Sequence, residues 1–276
     1  MTLVDVADLN RFGQDIEFDY AEGHSFNAGK FVQVFLHATV PGSPNGQIRR
    51  LADALNALST RWNSALTLCA KIDWLHDQRG EGQKLPHLVW MEFMANDISS
   101  FFGDVRAVFD CVRDVLRTVC PAIKGKSFSG LRNFVTEAPS VADNEIGADL
   151  AASIAKCEWF EPLKNVRDAI VHRHTKLLVY PFEERINFNL LYGPNDLISD
   201  AELLTDEGLV DFHYFAAAVL SRLYCLMEDM SEIVSNRIEL PQVVVKGRSM
   251  YFAFGTVRGW MIELLEHIEG MQEAES

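Results

Sequence analysis

The stretch IRRLADALNALSTRWNSALTLCAKIDWLHD (residues 48–77) decides the fold. Ile48, Leu51, Leu55, Leu58, Trp62, Ala65, Cys69 and Ile72 recur at alternating steps of three and four. That repeat lines one side of an α-helix, whereas a strand would alternate every second residue. Charged and polar residues fill much of the remaining surface, so the spacing predicts one long amphipathic helix over roughly 48–77. Such a stripe has to be covered by other elements, because a helix draws most of its stability from packing.

The cover is legible on the C-terminal side. QRGEGQKLPH (78–87) carries turn chemistry and reads as a loop. Met94, Ile98, Phe101, Val105, Val108, Val112, Val115 and Val119 then form a second stripe over 88–119, which stops at Cys120-Pro121. Two long helices joined by a short loop predict an antiparallel pair. Pro121, Gly125, Gly130 and Pro139 break up 121–145 into short helices and loops. Ile146, Leu150 and Ile154 predict a further helix, and Glu161-Pro162 starts another with the stripe Leu163, Val166, Ile170. LLVYP (177–181) and INFNLLYG (186–193) read as extended segments of a hairpin. PNDLISDAELLTDEG is acidic and turn-rich. A third long helix carries Phe212, Phe215, Val219, Leu223, Leu226, Met230 and Ile233, and GWMIELLEHIEG (259–270) predicts a terminal helix. FVQVFLHATV (31–40), broken by PGSPNG (41–46), and Val243–Val245 are strand-like. The expected architecture is a mainly α bundle with small extended additions.

Composition sets limits on function. The 276 residues are 48% hydrophobic, enough for a substantial core. The net charge of −14, from 25 Lys+Arg against 39 Asp+Glu, argues against a broad nucleic-acid or anionic-membrane surface but leaves room for a local basic site. Five cysteines without CxxC spacing read as small core residues in a reducing compartment. MTLVDVADLN lacks the features of a secretory signal, and no apolar run reaches the length of a membrane span, so a cytoplasmic location is expected.

The chemistry-bearing segment is RDAIVHRH (167–174). Asp168 and His172, four residues apart, share a helix face, so Asp168 is placed to bond one imidazole nitrogen and leave the other for a substrate. Arg167 and His172 point well apart on an ideal helix. Lys164, Arg167, Arg173 and Lys176 meet a single acid, Asp168, between 164 and 176. In so acidic a chain this local reversal of sign suits a phosphate-bearing ligand. The plainer reading is a helix end, where Lys, Arg and His are favoured. His76-Asp77 is an HD dipeptide, but the nearest upstream histidine, His37, sits in a strand-like run. Asp97 and Asp104 lie on a largely apolar helix and could line a cleft, with Asp97 partly buried, though the plainer reading is solvent-facing or capping residues. ExxH repeats, GxGxxG, P-loop, HExxH and GxSxG patterns are absent, and no metal or cofactor is expected.

Arginine, then Asp, Asn or His, then histidine after four to six intervening residues resembles the motif of the HEPN superfamily, matched here by Arg167, Asp168 and His172. Two long leading helices before the motif and one after it add to the resemblance, which covers about residues 45–240. It implies a HEPN-like bundle over 45–240 with an extended insert near 177–193. Residues 1–44 are then an N-terminal mixed extension, and 241–276 a C-terminal extension packed on the bundle. It further implies a metal-independent endoribonuclease acting on RNA. His172 moves the proton, Arg167 stabilises charge on phosphorus and Asp168 orients His172; His174, which the motif does not require, and Arg173, Lys164 and Lys176 of the basic patch are auxiliary candidates. The same resemblance implies a homodimer whose two motifs face each other, and an antitoxin or other regulatory protein as a partner. Noncatalytic members of the superfamily supply the alternative, an RNA- or nucleotide-binding or regulatory module.

Overall fold

Gln47 of one long helix reaches Thr118 of the next, Ser64 reaches Asp104, and Lys71 reaches Asp97. The partners descend along one helix as they ascend the other, so the pair is antiparallel. These are α2 (Gly46–Gly80) and α3 (His87–Val119), each slightly longer than the periodicity indicates. The computed structural model describes residues 3–22, 46–80, 87–172, 175–182, 185–191, 198, 200–238 and 252–274. The strand-like runs at 31–40 and 243–245, most of the 78–87 loop, and the hairpin turn fall outside the described residues.

Both stripes do what their spacing requires. Leu51, Trp62, Ala65, Cys69 and Ile72 of α2 are buried, as are Met94, Ile98, Phe101, Val105 and Val108 of α3. Four short helices follow: α4 (Phe128–Glu137), α5 (Pro139–Ile146), α6 (Ala148–Ala155) and, after a 3-10 turn at Cys157–Trp159, α7 (Phe160–His172). Ser127 caps α4 by accepting the Gly130 N–H at 3.0 Å. The motif helix α7 buries Leu163, Val166 and Ala169 and packs along α3.

The chain then forms β1 (Lys176–Phe182) and β2 (Arg185–Leu191), paired antiparallel from Lys176–Leu191 to Phe182–Arg185. A two-residue strand β3 (Val210–Asp211), which the sequence pattern does not signal, adds to β2. Asp211 caps the long helix α8 (Phe212–Arg237) by accepting the Tyr214 N–H at 3.1 Å. The last helix, α9 (Phe252–Ala274), is about twice the length expected for it.

The described part of the N-terminal segment holds a helix that the sequence pattern does not signal. Val6–Glu22 is a helix, α1, and Leu9 and Phe12 are fully buried. The ring of Phe12 stacks on Tyr224 of α8 at 4.7 Å and meets Trp62 of α2 edge-on at 6.2 Å. The fold is mainly helical with a small three-stranded antiparallel sheet. Among the described residues no helix is long and apolar enough to cross a membrane, and all five cysteines are free thiols.

Candidate functional site

The motif helix is fixed at both ends. At its start Phe160 packs at 4.7 Å from Phe109 of α3 and 5.0 Å from Phe128 of α4. At its end the Thr175 N–H returns to the Ala169 carbonyl at 3.1 Å, and the chain enters β1, which lies against α3. Side chains on its outer face are therefore carried by a rigid element.

Arg167, Asp168 and His172 come together there. The Arg167 guanidinium donates through Nη1 to Asp168 Oδ1 at 2.9 Å, and the same nitrogen lies 2.9 Å from His172 Nε2. A guanidinium only donates, so a hydrogen bond at this contact requires an unprotonated Nε2. The side chain of His172 is 64% exposed, against 29% for Arg167 and 35% for Asp168.

Two expectations are corrected by this geometry. Positions 167 and 172 are offset by about 140° on an ideal helix, yet the long arginine stem bends across the helix surface and closes the gap. Asp168 does not hold the imidazole, because its Oδ1 lies 3.9 Å from His172 Nε2. That is too long for a hydrogen bond, and Arg167 Nη1 bridges the two groups instead. Asp168 thus positions the arginine, and the arginine meets the histidine.

The positive patch is corrected as well. Lys164 Nζ lies 3.2 Å from Glu161 Oε2, and Lys176 Nζ lies 2.9 Å from Glu92 Oε1 of α3. Together with Arg167–Asp168, each described cation of the cluster meets an acid. Glu161 lies just outside the 164–176 window, and Glu92 is 84 residues from its partner. Glu161 also receives Arg132 of α4, Nη1 to Oε1 at 3.6 Å, and Ser129 Oγ at 3.4 Å. Sequence reasoning missed Arg132, Ser129, Glu161 and Glu92; the three-residue step from Glu161 to Lys164 was the one readable signal. Arg173 and His174 lie outside the described residues.

Of the competing constellations, His37 lies outside the described residues. His76 is buried near Trp90 and His213, and Asp77 is exposed. Asp97 pairs with Lys71 at 2.7 Å, and Asp104 accepts from Arg61 and Ser64. Among the described residues no group of three or more His, Cys, Asp or Glu side chains is arranged to hold a metal ion. What the α7 surface offers is a permanent cation touching an exposed imidazole. That pair can bind a phosphoryl oxygen and move a proton beside it. Comparison of the chain with protein-family models, with curated proteins and with solved structures gives no match in any of the three.

Proposed function

We propose that the outer face of α7 is the site of a metal-independent endoribonuclease of HEPN type, built around Arg167, Asp168 and His172. The observation that carries this reading is the 2.9 Å contact between Arg167 Nη1 and His172 Nε2 on an exposed, rigid helix. In RNA cleavage the 2′-hydroxyl oxygen bonds to phosphorus as the P–O5′ bond breaks. One group takes the 2′-OH proton and another gives a proton to O5′, leaving a 2′,3′-cyclic phosphate. Arg167 stabilises the charge on the pentacoordinate phosphorus, and His172 is the proton-transfer group. Asp168 acts as a positioning residue for Arg167.

The homodimer stays within this proposal for a changed reason. Arg167 and His172 already meet within one chain, so convergence no longer calls for a second copy. Proton transfer at two oxygens calls for two groups, and the described motif residues supply one imidazole per chain. A facing copy supplies the other. Light scattering at micromolar concentration is expected to give twice the 31.1 kDa chain mass, with or without RNA. A monomer under both conditions counts against the composite site.

The test is incubation with mixed RNA in chelator. Wild type should cleave and leave 2′,3′-cyclic phosphate ends. Arg167→Ala and His172→Ala should each lose about 10²-fold or more, the scale of a general acid–base or charge-stabilising group. Asp168→Asn should lose less, because its role is exerted through Arg167. Intact RNA with wild type, or both alanine variants cleaving at the wild-type rate, excludes the site. The second reading, a noncatalytic binding or regulatory module, is favoured by a specific observation: Lys164, Arg167 and Lys176 are all matched with acids.

A further inference from the structure

We propose that the RNA strand runs from His172 along the outer face of α7 toward Glu161, where Lys164 and Arg132, with Ser129 beside them, form a subsite for a neighbouring phosphate. This rests on the ribonuclease reading above and adds a direction and a length requirement to it.

The two ends of the motif helix differ in charge balance. Beyond His172, Lys176 is matched one-to-one by Glu92 at 2.9 Å. Val89 and Phe93, on either side of Glu92 in α3, are exposed and apolar. Among the described residues, which leave out Arg173 and His174, nothing at that end offers a phosphate more cation than acid. Toward the start of α7 the balance reverses, because the single Glu161 carboxylate serves three donors. Lys164 Nζ stands at 3.2 Å, Arg132 Nη1 at 3.6 Å and Ser129 Oγ at 3.4 Å. Two cations share one acid, and none of the three contacts is as short as Lys176–Glu92. The arginine comes from a different helix and its side chain is 14% exposed, so its position is set by packing. A phosphate displacing the Glu161 carboxylate gains both cations and the hydroxyl.

The spacing makes this a separate subsite. Lys164 precedes His172 by eight residues, about 12 Å along the helix axis. A phosphate held at Lys164 is thus not the one being cleaved, and a strand has to be long enough to reach both places.

The test uses an uncleavable 2′-O-methyl RNA 12-mer, read by fluorescence anisotropy over a range of salt, with a 2′-O-methyl dinucleotide as the short probe. Lys164→Ala should weaken binding of the 12-mer about three- to tenfold and lower the salt slope by about one, as loss of one phosphate contact does. Glu161→Gln should tighten it, since the competing charge is removed and the shape kept. Lys176→Ala should change it less than twofold, and dinucleotide affinity should be the same in all of these variants. The proposal is overturned if Lys164→Ala stays within twofold of wild type, if Lys176→Ala weakens binding as much, if Glu161→Gln weakens it, or if wild type does not bind the 12-mer. Lys164-dependent binding of the 12-mer with no cleavage of ordinary RNA keeps the subsite and removes the ribonuclease reading. Cleavage without that dependence does the reverse.

Discussion

His213 lies 4% exposed, its ring stacked on Trp260 at 4.4 Å and 7°, with His76 edge-on at 6.2 Å. Its Nε2 is buried and makes no hydrogen bond. Burial, then the nearby Arg185 and His76, push its pKa down to about 3, so the ring serves as a neutral aromatic plate. The unfolded chain binds this proton near the ordinary histidine value and the folded protein does not. The stability involved is therefore complete above about pH 6.5 and is lost as pH falls toward 3. His213→Phe should flatten the fall in unfolding free energy, measured by urea titration, between pH 6.5 and 4, by about 3 kcal/mol near pH 4.5. Half-buried Asp73 and buried Asp211 are shifted upward by burial and slope the other way, but both remain in the variant, so the difference reports His213. Parallel profiles for the two proteins would sink the argument. Local sequence pattern does not mark His213, because its neighbours come from α2 and α9. The α7 triad was readable as residue types at a fixed spacing; which of the three groups touch depends on how one arginine side chain bends.

At the scale of elements, α1 shows what periodicity misses. Its apolar pattern is short and interrupted by Gly13, and what secures it is polar and distant in sequence. Buried Asp200 accepts the Leu3 N–H through both oxygens, at 2.9 and 3.0 Å. Arg222 of α8 donates to the Leu3 carbonyl at 3.1 Å and to Asp5 and Asp8 at 2.7 and 3.0 Å. Asp200→Ala leaves a buried N–H without its acceptor, a cost of about 1–3 kcal/mol. Hydrogen exchange should show faster exchange across residues 3–12 in Asp200→Ala and in Arg222→Met, with α2 and α3 protected as before. Equal acceleration in all helices would mean that the clamp is not local. The α2–α3 pair, by contrast, was legible from end to end, since an unbroken stripe of that length admits one partner geometry.

For the whole molecule the question is whether the terminal segments are additions or parts of the core. Buried apolar residues form one cluster that includes Leu3 and Phe12 near one end of the chain and Trp260 and Ile268 near the other. Its centre is aromatic: Phe215 of α8 lies 5.2 Å from Phe102 of α3 and 5.6 Å from Phe188 of β2, and Phe212 lies 5.9 Å from Trp260 of α9. Sheet, long helices and C-terminal helix thus share side chains that cannot be uncovered separately. Read as a sequence, residues 1–44 were an extension and 241–276 an extension packed on the bundle, because cross-chain ring contacts leave no mark in local pattern. The expected outcome is one cooperative urea transition in which far-UV circular dichroism and tryptophan fluorescence coincide, with Trp62, Trp90, Trp159 and Trp260 all buried reporters. Phe215→Ala should lower stability by about 3–5 kcal/mol and move both probes by the same amount. Phe215→Leu, which keeps most of the volume, should cost far less. Two separated transitions, or a Phe215→Ala shift seen by one probe alone, would show that the terminal helices fold as a unit apart from the bundle that carries the α7 site.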